Sequence, residues 1–231
     1  MAVPSLNLDD HDATDALSDL ERSLGFRFGN DELTTCRTVG DVHRVISKRL
    51  ANSGGDACAG AMAFYRLRRA LTPYANGEKL RPSSVLAEFI QVSPKRLFKK
   101  IEAETGLHLP QPASSWLGRL AFAVMATALL GIIPVHILYP GWTLFTILLI
   151  PASIWTLSID PGRFAEDCRT LRDLAKTTMA LNFGHLLEAG ARPRPADQWE
   201  VLTEVLSEYS ALPKAEITPE MLILPAKRYA A

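Results

Sequence analysis

Neither sign of charge is in excess in this chain of 231 residues: 25 Lys and Arg stand against 25 Asp and Glu. A net charge of zero gives no global field of the kind that draws nucleic acid, so no nucleic-acid partner is expected. Cysteine is scarce. Cys36, Cys58 and Cys168 are far apart and odd in number. No CxxC or Cys/His spacing suggests zinc, and a disulfide framework is not expected. The first residues, Met1 to Asp15, are acidic and lack an apolar core, so they do not read as a signal peptide. No nucleophile, base and orienting acid fall into a recognisable pattern, and FRFGN at Phe26 to Asn30 is too short for a phosphate loop. His11 sits among Asp9, Asp10 and Asp12, which reads as an acidic helix start rather than a metal cluster, because first-turn acids complement the helix dipole. No enzyme activity, metal or cofactor is therefore expected.

What the chain does have is a strongly apolar middle. Leu120 to Tyr139 reads LAFAVMATALLGIIPVHILY, without an acid, lysine or arginine. Trp142 to Ile159 reads WTLFTILLIPASIWTLSI, and only Pro140-Gly141 separates the two runs. At 1.5 Å per residue, about 20 residues span roughly 30 Å, the thickness of a hydrocarbon core. The runs predict a two-helix transmembrane hairpin at about Leu117 to Ile159. Lys95, Arg96, Lys99, Lys100 and Arg119 precede it and Arg163 follows it, while the turn carries no cation. By the positive-inside rule both termini are expected on the cytoplasmic side of an integral, two-span protein, with these six residues at the membrane surface. Each basic residue near anionic headgroups would contribute about 1 kcal/mol. Trp116, Tyr139, Trp142 and Trp155 fall near the expected interfaces. Pro134 and Pro151 read as passive kinks, and His136 as an interfacial polar residue.

The flanking sequence is helical in period. Apolar residues recur at helical spacing over Asp12–Leu24, Thr38–Leu50, Met62–Leu71, Pro94–Thr105, Arg169–Leu187 and Gln198–Tyr209, and no strand pattern is convincing. The fold class expected is all-α.

Several phrases occur twice. CRTVGDV at Cys36–Val42 matches CRTLRDL at Cys168–Leu174; LERSLGFRFG at Leu20–Gly29 parallels IEAETGLHLP at Ile101–Pro110; LRPSSVL at Leu80–Leu86 parallels ITPEMLI at Ile217–Ile223. In order, these pieces resemble the acyl carrier proteins. That resemblance implies four-helix bundle units. A middle unit takes its first helix from Met62–Leu71, its long loop from LRPSSVL, its second helix from Pro94–Thr105 and its last helix from CRTLRDLAKTTMAL, with the apolar hairpin inserted. A second unit is cut and permuted: residues 199–224 supply its first helix and residues 8–50 the rest. The expected organisation is 1–50, a partial unit; 51–61, a linker; 62–112, the first half of the middle unit; 117–159, the hairpin; 160–190, its second half; and 198–231, a C-terminal helix pairing with 1–50.

Carrier activity in that family needs a serine at the start of the second helix to take phosphopantetheine. Counting back from Leu20-Glu21 puts Asp10 there in the terminal unit, and a carboxylate cannot accept the group. In the middle unit Ser93 is the candidate, but the preceding acid is missing and Pro94 follows. A helix N-cap before a first-turn proline explains Ser93 as well. The expectation is a membrane-anchored, non-catalytic carrier-like docking or scaffold protein without prosthetic group. Its partners would be the lipid bilayer and acyl- or lipid-handling enzymes, with a homo-oligomer possible. The alternatives are a membrane-tethered carrier bearing phosphopantetheine on Ser93, or a small subunit of a transporter or channel.

Overall fold

The computed structural model describes residues 4–29, 31–51, 55–138, 141 and 143–225; within residues 132–138 and 143–146 only the backbone is described. The expected turn residues Tyr139, Pro140 and Trp142 lie outside that range, as do the side chains of Pro134 and His136. Ten α-helices occur among the described residues, so the chain is mainly α.

Local sequence chemistry sets the helix ends. Helix α1, Asp10–Leu24, begins earlier than its apolar period suggests, because Asp9 rather than Asp12 caps it, accepting from the His11 and Asp12 amides at 2.8 Å. Helix α2, Val39–Leu50, opens on a capping box: Thr38 accepts from the Asp41 amide while Asp41 accepts from the Thr38 amide. Helix α3 is Ala59–Leu71, α4 is the single turn Leu86–Phe89, and α5 is Pro94–Thr105 with proline in its first turn. Helices α6, Trp116–Leu138, and α7, Thr143–Ile159, form the apolar hairpin. The helix expected over 169–187 is broken at Asn182 into α8, Leu171–Leu181, and α9, Phe183–Glu188. Buried Asn182 turns the chain there: its amide donates to the carbonyls of Thr178 and His108, both at 2.7 Å, and its oxygen accepts from the His108 amide at 2.8 Å. Helix α10, Pro195–Tyr209, completes the set. Two short strands that alternation did not suggest, β1 at Ala57–Cys58 and β2 at Ala191–Arg192, pair in parallel. Two residues each are too few for a periodic signal.

The buried apolar residues fall into two clusters. One draws on α1, α2 and α10 through Leu20, Leu24, Val42, Ile46, Val201, Leu202 and Leu206, and takes in Ala63 of α3, Met179 of α8 and Phe183 and Leu186 of α9. The other draws on α3, α4, α5 and α8 through Leu67, Leu71, Leu86, Leu97, Ile101, Leu171 and Leu174. The first joins the two ends of the chain. Helix α10 packs along α1 and α2. Backbone bonds from the Leu6 amide to Leu222 O at 2.8 Å and from the Leu222 amide to Pro4 O at 3.0 Å tie the terminal segments together. Between side chains, the Tyr209 hydroxyl donates to Asp19 at 2.5 Å and the Ser47 hydroxyl to Gln198 at 2.6 Å.

The apolar hairpin is closed at its base by a bridge between Ala113 and Arg163, and Asp160 accepts from the Ser115 amide at 3.1 Å beside the start of α6. Small buried residues, Ala121, Ala128 and Ser153, let α6 and α7 close on each other. The expected bilayer crossing is corrected: among the described residues, no helix is long and apolar enough to cross a membrane. Helix α7 starts at Thr143 and holds 17 residues, about 26 Å, short of the roughly 30 Å of a hydrocarbon core. The two-span localisation with both ends on one side is therefore withdrawn. The membrane-surface reading of Lys95, Arg96, Lys99, Lys100, Arg119 and Arg163 loses its premise, as does a channel or transporter subunit built on two spans.

Candidate docking faces on two equivalent helical units

The repeated phrases occupy equivalent places in the two units, bond for bond. The Thr38 box at the start of α2 has its twin at α8, where Thr170 accepts from the Asp173 amide at 3.2 Å and Asp173 from the Thr170 amide at 3.2 Å. The proline loop crosses this helix start in the same way in each unit. The Val39 and Gly40 amides donate to Met221 O and Pro219 O at 3.0 and 2.9 Å, and the Leu171 and Arg172 amides donate to Ser84 O and Pro82 O at 3.0 and 2.9 Å. Thr38 is bridged to Leu222, and Thr170 to Val85. The helix before the connection also ends alike. Gly25 and Gly106 terminate α1 and α5 with φ of 76° and 67°, the left-handed region that favours glycine. Glu21 then accepts from the Phe28 amide at 2.8 Å, and Glu102 from the Leu109 amide at 2.9 Å.

Alignment on those glycines pairs Ser93 with Asp12, not with Asp10 as counting back from Leu20 does. Helix α1 carries one more turn at its start than α5, which hides the register in the sequence. Ser93 occupies the N-cap position of α5, but its side chain makes no capping bond. Its Oγ is buried and lacks a hydrogen-bond partner. A serine that takes a phosphopantetheine needs a hydroxyl open to a modifying enzyme, so the residues present do not fit that group.

Outside the buried clusters the equivalent helices diverge in charge. On α5, Lys95, Arg96, Lys99 and Lys100 are all exposed. None of the four makes an ion pair among the described residues; Lys95 lies within the field of Asp160, and Lys100 stands 5.9 Å from the Tyr74 ring centre. Of the remaining predicted surface residues, Arg163 lies on a segment packed against the start of α5, where the Lys95 amide donates to Pro161 O at 3.3 Å, while Arg119 lies in the first turn of α6. On α1 the outer acids are exposed Asp10 and Asp15 and half-buried Asp12 and Asp19, with His11 3.5 Å from Asp15 and Arg22 paired to Asp19. The segregation extends through the units. Residues 1–50 and 195–231 carry 9 basic against 15 acidic residues, whereas residues 59–110 and 160–181 carry 13 against 8. The pooled balance of zero conceals this division, and summing over each unit once the repeat is aligned would have found it.

Other candidate chemistry does not converge. Burial, with Asp167 adding to it, pushes the Cys168 thiol up to about 12, and burial also raises Cys36, so neither favours a reactive thiolate. No group of three or more His, Cys, Asp or Glu suited to a metal ion occurs among the described residues. A cavity of about 800 Å³ lies where the units meet, between Ser23, His108, Asn182, His185 and Glu208. Burial and the neighbouring carboxylates Glu204 and Asp19 raise the pKa of Glu208 there. No family model, no curated protein and no solved structure matches this chain.

Proposed function

We propose that this chain is a non-catalytic, acyl-carrier-like docking or scaffold protein that works without phosphopantetheine. The observation that carries the reading is the contrast between two equivalent helices: α1 and α5 stand at the same place in matching units, yet turn acidic and basic faces outward. Such faces fit partners of opposite charge, because complementary charge steers encounter and rejects wrong partners. Two faces on one chain would bring two partners together. Acyl- or lipid-handling enzymes are the partner class that the family resemblance suggests, an argument by analogy of fold alone.

The buried, unpartnered Ser93 Oγ and the carboxylate at the matching position, Asp12, support the absence of a prosthetic group. The test is the intact mass of the full chain after coexpression with a phosphopantetheinyl transferase. The expected result is the unmodified mass. A gain of one phosphopantetheine, lost in Ser93→Ala, would overturn the reading and make the chain a carrier.

A further inference from the structure

We infer that copies of this chain associate head to tail, the acidic face of α1 on one copy docking on the basic face of α5 on the next. The inference rests on the reading of the units as docking modules and supplies a partner for both faces. On α5, Lys95, Arg96 and Lys99 are exposed and form no ion pair among the described residues. On α1, Asp15 is exposed and lies 3.5 Å from His11, half-buried Asp12 makes no ion pair among the described residues, and Asp19 is paired to Arg22. No ion pair joins α1 to α5 within the chain among the described residues. Asp12 on one face and Lys95, Arg96 and Lys99 on the other therefore keep charges without an ion-pair partner among the described residues, and the two sets are opposite in sign.

Charge favours the pairing: Asp15 and Arg96, like Asp19 and Lys100, hold equivalent positions with opposite sign on helices whose C-terminal ends are built alike. The net charge of the whole chain is zero at neutral pH, so no long-range repulsion opposes association. Poles of opposite sign, the 9-against-15 unit and the 13-against-8 unit, attract instead. The contact uses different faces on the two copies. It leaves α5 free on one copy and α1 free on the other, so it closes into a ring or extends as a chain.

Sedimentation velocity of the full chain at low and high salt tests this with two variants. One carries Asp12→Lys and Asp15→Lys; the other carries Lys95→Glu, Arg96→Glu and Lys99→Glu. The wild type is expected to sediment as multimers at low salt and to fall toward the one-chain mass at high salt, where surface charge is screened. Each variant alone should be a monomer at low salt. Mixed in equal amounts, they should assemble into multimers again, because each then offers both faces a charge opposite to the other's. A chain carrying all five substitutions should assemble again, which a misfolded variant would not do. A monomeric wild type at low salt would overturn the inference. So would variants that assemble like the wild type, as they would if the exposed apolar hairpin drove association, or a mixture that stays monomeric. Mass after coexpression and assembly are read separately, so the docking reading and this inference can fail independently.

Discussion

The two units share a skeleton and differ in nearly everything outside it. The terminal unit crosses directly from α1 to α2, borrows α10 from the far end of the chain and is acidic. The middle unit is continuous in its first half, carries the α6–α7 hairpin between α5 and α8 and is basic. What they hold in common is the capping box, the glycine cap, the glutamate that holds the following connection and the proline loop across the helix start. These elements satisfy backbone groups at helix ends, which have no partner inside the helix. The comparison separates what the skeleton needs from what it tolerates. Backbone satisfaction and the apolar stripe are retained, while surface charge and the length of one connection vary.

The largest effects should come from the two cores. Leu202 in α10 and Leu97 in α5 are 1% and 0% exposed. Either leucine changed to alanine should cost about 2–5 kcal/mol in chemical denaturation. If one is nearly neutral, the two clusters are not comparable cores. A smaller effect is expected where the units abut. A Cβ added at Gly184 in α9 would lie 2.6 Å from the Cα of Gly25 at the end of α1. Backbone cannot yield as a side chain tip can, so Gly184→Ala should cost about 1–3 kcal/mol, measured the same way. A neutral result would show that this approach is not close in solution.

The caps sharpen the equivalence itself. Thr38→Ala and Thr170→Ala should each cost about 1 kcal/mol, and costs differing severalfold would break the pairing of the boxes. The smallest effect is one of pH. Hydrogen bonds from the Thr38 and Arg37 amides hold the Asp41 carboxyl at about 2, below its ordinary 3.8. A depressed folded pKa stabilises above the ordinary value and loses that stabilisation as pH falls through about 2. The stability gap between wild type and Asp41→Ala should therefore be full near pH 5 and narrow toward pH 2. A gap independent of pH would remove the charge from the account of this cap.

Much of the skeleton is legible in particular residues. The TxxD phrases at Thr38 and Thr170 announce helix starts because the side chains themselves do the capping. The apolar period gives most helices, since burial of one face is what produces it. Legibility fails where the cause is not local. Asp9, Asp10 and Asp12 are all good caps by type, and only the fold chooses Asp9, which shifts the register against Ser93. The break at Asn182 depends on bonds to His108, 74 residues away. The hairpin was legible as two helices, but not as spans: among the described residues no helix is long and apolar enough to cross a membrane. The charged faces were half legible: the basic run on α5 stands out, but the acidic run at the equivalent place on α1 becomes meaningful only when the units are aligned.

The central claim is that the two ends of the chain build one unit. Native-state hydrogen exchange on Leu202→Ala against wild type tests it most directly. Because α10 packs along α1 and α2, the account predicts that amides of Leu17–Leu24 and Val42–Leu50 lose protection together with those of α10. Full protection of α1 and α2 while α10 alone opens would contradict it.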